Sequence, residues 1–324
     1  MYIFILAQAI TVASAAEPTA PNADGFGVLA PPTADAPKPA PSSREGAPQE
    51  QAVTAFQVRG TAPGNQVRLD TTVAPFYNPK TTAGSVETVS MLSASLRLAR
   101  PFAIQARFGV VHVDPISSGT AASGITNATI GGQFGTRFAR YFRAAASFGV
   151  GLPVGSGAGN SPNPDVAAAM KSASLARACM DNTMFSQNDM GFPVGADLAF
   201  VKGRFTAQME LNLIPSVRVQ GSAKTPDASK LNFTGALFAG WFVVPERLSV
   251  GAELKNQAFV STPVAVQKDA SQRDNLSASG GVRVYLPVTP TVQMRPGISY
   301  GAGLYGPIAD AHYQMVQVDL PVTF

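Results

Sequence analysis

The sequence has no run of roughly 18 or more apolar residues, so it offers no membrane-spanning helix. Its single cysteine, Cys179, excludes an internal disulfide, and no Leu-x-x-Cys lipoprotein box stands near the N-terminus. Only 14% of residues are charged, the net charge is +4 and Lys and Arg form no block, which argues against a nucleic-acid partner. There are only two histidines and neither lies near Cys179, so His, Cys, Asp and Glu show no metal-ligand spacing. The glycine-rich stretch "GVGLPVGSGAG" lacks the Lys-Ser/Thr ending of a phosphate loop. No cofactor is expected.

What the sequence does contain is 30 glycines, 26 prolines and a 45% apolar fraction spread along the chain. One compact apolar stretch, "MYIFILAQAITVASAA", runs into Ala13, Ser14 and Ala15 and has the form of a secretory signal peptide over 1–16, without the usual positive start. The text that follows is dense in Pro and Ala with almost nothing to bury, which predicts a disordered segment over 17–65. It reads either as a spacer or as a tether to the cell wall or a partner protein.

From Val67 the texture changes to segments with period-two alternation. In "YQMVQVDLPVTF", Val316, Val318, Leu320 and Val322 alternate with Gln317, Asp319 and Thr323, and the chain closes on Phe324. Phe205, Ala207, Met209, Leu211 and Leu213 alternate likewise with Thr206, Gln208, Glu210 and Asn212. About twelve such segments are predicted, over 66–77, 86–99, 102–114, 124–139, 141–153, 190–201, 204–218, 230–243, 247–261, 273–286, 291–304 and 312–324. Short connectors such as "ARPF", "ARYF", "VKGR" and "VPER" alternate with longer polar ones. Aromatics at 102, 138, 141, 142, 200, 205, 241, 285 and 324 gather beside the short connectors, while Phe192, Phe233, Tyr300 and Tyr313 lie near the other ends.

Alternation, connector pattern and a terminal aromatic strand together resemble the Gram-negative outer-membrane β-barrels. The expectation is an all-β, up-and-down antiparallel transmembrane barrel over 66–324. The resemblance implies a bacterial outer-membrane location with short turns and N-terminal segment in the periplasm. It also implies lipid and lipopolysaccharide around the wall, and Tyr313 and Phe324 as a signal read by the barrel-assembly machinery. An oligomer is left open.

Alternation turns Arg97, Arg107, Arg137, Arg143, Arg283, Arg295 and Lys255 inward, against Glu210, Glu253 and Asp319. In a wet lumen these residues would set selectivity for small polar or anionic solutes; in a dry one they are a salt-bridge plug. Twelve strands lie between self-filling and open barrels. The longest connector follows the fifth strand. Asn163 as cap, Pro164 and Asp165 predict a helix over 165–180 with Val166, Met170, Ala173 and Met180 on one stripe. By position it is the third outer loop, which in porins folds into the lumen; a cap and a solvated loop helix are the other readings.

The favoured function is therefore a passive channel, and the alternative a non-conducting structural or surface-interaction barrel with a plugged lumen. A lipid hydrolase comes a distant third. Outer-membrane phospholipases resemble barrels with His and Ser on the lipid face, but two residues beyond His112 stands Asp114, and two beyond His312 stands Gln314, so no nucleophile is expected beside either imidazole and no enzyme is expected. An autotransporter would need a helix just before the first strand, where "AVTAFQVRGTAPGN" has Gly and Pro.

Overall fold

Side chains that alternate at period two give each strand one apolar and one polar face, and a sheet of such strands closes so that no edge is left to hydrocarbon. A computed structural model describes residues 51–78, 83–116, 120–159, 163–222 and 225–324. The signal-peptide reading of 1–16 and the first part of the Pro-rich segment lie outside the described residues. Twelve antiparallel strands form a closed barrel. They are β1 (Gln66–Asn78), β2 (Ala83–Ala99), β3 (Phe102–Pro115), β4 (Ala122–Ile125 resuming as Ala128–Arg137), β5 (Phe142–Leu152), β6 (Asp189–Gly191 resuming as Val194–Lys202), β7 (Phe205–Arg218), β8 (Ser229–Val244), β9 (Leu248–Phe259), β10 (Asp274–Val284), β11 (Gly297–Tyr305) and β12 (Gln314–Thr323).

Neighbours in sequence pair throughout, and β12 returns to β1 from Gln66 opposite Thr323 to Val73 opposite Val316. Pro193 splits β6 where the ladder loses a donor. The penultimate strand, expected from residue 291, begins at Gly297 after Pro296; Gln293–Met294 forms a small hairpin with Leu286–Pro287 instead.

The two faces are inverted relative to a water-soluble protein. Phe148, Val318 and Ile130 on the outer wall are more than half exposed, whereas Gln317, Asp319, Glu253, Lys255 and Arg283 inside are almost wholly buried. An apolar outer band around a polar interior is stable in a bilayer. At the short-turn rim Phe138, Phe142, Phe200, Phe205 and Trp241 follow one another with ring centroids 5.3–6.4 Å apart. Tyr141 packs on Phe200 there, with Arg140 and Lys202 over its ring. This is an interfacial girdle.

Two of the strand-end aromatics stand apart from the outer wall. Tyr285 and Tyr313 are buried on the lumen side, because each hydroxyl has a partner there: Tyr285 Oη accepts the Thr54 N–H at 2.8 Å, and Tyr313 Oη donates to the Ala176 carbonyl at 3.2 Å. Phe324 does face outward, half exposed.

Candidate functional site: an occupied lumen

Twelve strands enclose more space than their own side chains fill, and in this barrel two segments of chain take it up. The first is the stretch before β1. Val53, Ala55, Phe56 and Val58 are buried inside the barrel, so the segment predicted to be disordered through residue 65 is ordered over 51–65. Sequence reasoning missed it because its apolar residues follow no helix or strand period; its backbone is held by polar wall residues that alternation had already turned inward.

Glu253 Oε1 accepts the N–H groups of Phe56 (2.6 Å) and Gln57 (3.0 Å), and Glu210 Oε2 accepts that of Arg59 (2.6 Å). Arg283 donates to the carbonyls of Thr54 and Ala55, Gln317 to that of Phe56, Gln208 to that of Arg59 and Gln133 to that of Gly60. Backbone that would otherwise be buried unpaired is thus satisfied by side chains. The segment is a tuck. Asn65 meets Arg97 at the short-turn mouth, Gln57 and Arg59 reach the mid-barrel beside Lys255 and Asn212, and Gln51 is back near the mouth against Gln293.

Small wall residues make room for it. A Cβ built at Gly135 would stand 2.4 Å from Pro63 Cδ and 2.7 Å from the Thr61 carbonyl. Gly135→Leu is therefore expected to unseat residues 61–63, and limited proteolysis of the folded barrel should then cut the tuck at least about tenfold faster, a shift of little more than 1.4 kcal/mol in its docking equilibrium.

The second segment is the third long connector. Helix α1 (Pro164–Ala176) starts as predicted, with Asn163 Oδ1 accepting the N–H groups of Asp165 and Val166. It stops four residues short of the expected end, because Ala178 and Cys179 take left-handed backbone conformations that turn the chain. Ala169, Met170, Ala173 and Ala176 pack on Phe76, Val89, Met91, Val111 and Val113 of the inner wall. The helix lies inside the long-loop end of the barrel, and its small alanines allow it to fit there.

Its anchor is Arg177, whose guanidinium meets Asp70 at 2.6 Å and Asp181 at 3.2 Å; Asp181 also holds Arg107 at 2.6 Å. Burial alone would raise the Asp181 carboxyl, but Arg107 and Arg177 hold it below the usual carboxylate range. That clasp is at full strength at neutral pH and weakens as pH falls into the acid range. Burial pushes the Cys179 thiol up to about 12, which leaves it unreactive. Asp70 continues to Arg68 (3.9 Å), Arg68 to Asp319 (2.7 Å), and Asp319 to Arg283. A row of alternating charges thus joins the third loop to the residues that clasp the tuck.

No protein-family model and no curated protein matches the sequence. Among solved structures the chain is similar to the NanC porin (7% identity, 79% of this chain and 98% of that one, TM-score 0.46), the KdgM porin (10%, 79% and 99%, 0.42) and the transport unit of the autotransporter AIDA-I from Escherichia coli (11%, 84% and 93%, 0.44). At such values the likeness is one of general architecture.

Between the two segments remains a cavity of about 210 Å³, lined by Arg59, Arg68, Arg107, Arg177, Glu210 and Lys255 among others. It is polar and large enough to hold several waters. Of the residues predicted to line the lumen, Arg107, Arg143, Arg283, Glu210, Glu253, Lys255 and Asp319 do face it. Arg97 and Arg137 are exposed at the short-turn rim, where Arg97 donates to the Pro63 carbonyl and Arg137 to that of Ala139. Arg295 donates to Thr54 at the tuck. The inward arginines are thus mostly engaged with the two segments and do not form a bare belt.

Proposed function

We propose that the protein is an outer-membrane channel for passive diffusion of small polar or anionic solutes, held closed here by the tuck and the third loop. The observation that carries this reading is that the lumen is filled by two inserted segments of chain and not by the wall's own side chains, with the tuck's backbone held by polar bonds and a polar, Arg- and Lys-lined cavity left between the segments. Withdrawal of the tuck would leave Arg68, Arg107 and Lys255 on the wall beside the passage, where positive charge raises the local anion concentration. On this reading the short-turn rim and residues before 51 lie in the periplasm, lipopolysaccharide surrounds the other rim, and Phe324 addresses the barrel-assembly machinery.

A second reading, a sealed barrel that acts through its outer loops, is favoured by the number of bonds on the tuck. Planar-bilayer recording under a salt gradient separates the two, using the whole chain and a chain cut back to residue 66. Steps from the shortened barrel with an anion-side reversal potential support the channel. Silence from both, with the barrel folded, leaves the sealed reading.

A further inference from the structure

On the outer wall, away from the lumen, β3 and the first part of β4 bring three side chains together near the long-loop rim. His112 and Asp114 stand two apart on β3, and Ser123 lies directly opposite His112 on β4. His112 Nδ1 is 2.7 Å from Ser123 Oγ, and His112 Nε2 is 3.1 Å from Asp114 Oδ2. With the ring proton on Nε2 toward Asp114, Nδ1 has its lone pair free to accept the serine hydroxyl proton. Nucleophile, base and orienting carboxylate are thus connected in the order that acyl transfer requires.

Along a single strand the residue two beyond His112 is an aspartate, which removed the serine from view; it arrives from the neighbouring strand.

The surroundings favour an amphiphilic substrate. Phe108, Val110 and Ile125 stand on the same outer face, each nearly half exposed, and continue the apolar band directly below the trio. An acyl chain lying along them brings its ester to the rim, where His112 and Asp114 are open with side-chain exposures of 45% and 60%. The Ile125 N–H turns away from β3 to Ser156 Oγ at 3.0 Å. By strand alternation the Ser123 N–H turns the same way, to a side where an oxyanion formed at Ser123 can meet it.

We propose that Ser123, His112 and Asp114 form an acyl-hydrolase site on the outer wall, which cleaves carboxylic esters of membrane lipids. Ser123 Oγ attacks the ester carbonyl while its proton passes to His112 Nδ1. The tetrahedral intermediate collapses, the C–O bond to the lipid alcohol breaks, and the His112 proton goes to that alkoxide. Water, deprotonated by His112, then attacks the acyl-serine; the fatty acid leaves and Ser123 recovers its proton. The net change is ester plus water to acid plus alcohol. Asp114 acts as a positioning residue that fixes the imidazole.

The test uses the whole refolded chain with two probes in separate arms, phosphatidylethanolamine vesicles and purified lipopolysaccharide, and measures free fatty acid. Release from either arm supports the site and identifies the lipid. Ser123→Ala and His112→Ala, shown folded by heat-modifiable mobility, should lower it at least about a hundredfold. Asp114→Asn should lower kcat about tenfold or more with KM unchanged, a split that loss of a merely structural rim contact would not give. A fluorophosphonate should label Ser123 and no other serine. If a folded barrel releases no more fatty acid than Ser123→Ala from both lipids, and Ser123 takes no label, the trio is only a polar rim and the proposal is overturned.

Discussion

A barrel carrying both Glu253→Ala and Glu210→Ala is expected to conduct and to lose residues 51–65 to added protease, with no deletion anywhere in the chain. The two carboxylates accept three backbone N–H groups of the tuck, those of Phe56, Gln57 and Arg59. Hydrogen bonds to a charged acceptor contribute about 1.5–3 kcal/mol each, so their joint loss weakens docking by roughly 5 kcal/mol. That is a shift of more than about a thousandfold in the docked-to-free ratio. The paired Glu253→Gln and Glu210→Gln variant retains an acceptor at each site and should show a smaller effect. Equal protection of the tuck in the alanine barrel and the parent would show that Arg283, Gln317 and Tyr285 suffice to hold it.

Arg177→Met is expected to cost about 3–5 kcal/mol of unfolding free energy in detergent, read as a fall in the urea midpoint, and to make the third loop cleavable. Arg177 is almost wholly buried, and its removal takes from Asp70 and Asp181 a cation that each now contacts within 3.2 Å. Asp70 keeps only the more distant Arg68, at 3.9 Å, and Asp181 keeps Arg107. Because the row of charges runs on through Asp319 to Arg283, the same change should also speed cleavage of the tuck. Cleavage confined to the third loop would show that the row transmits nothing.

The barrel was legible because its cause is local. Alternation of the kind shown by Val316 to Val322 sets the outer and inner faces one residue at a time, and connector length sets which rim each end belongs to. What the alternation does not contain is the occupant of the lumen. Residues 51–65 have neither hydrophobic period nor strand propensity, and their order comes from acceptors and donors some 150–260 positions away. The interior bonds of Tyr285 and Tyr313 were not legible for the same reason, since an aromatic at a strand end serves a girdle or an interior hydroxyl bond equally well. The helix start was written in Asn163-Pro164-Asp165, whereas its end depends on a left-handed turn at two non-glycine residues, which local propensity does not announce.

Because the tuck enters and leaves by one mouth, a pull on the chain at Gln51 loads its attachments in series. Gln293 would release Gln51 first and Thr206 would release Val53 next, then Tyr285, Arg283 and Arg295 would release Thr54, and only afterwards would Glu253 and Glu210 give up Phe56, Gln57 and Arg59. Such a geometry peels. The force needed at any instant is that of the bonds on one residue and never of the whole set, so a seat that withstands thermal release can still be emptied by a weak, directed tug from the short-turn side.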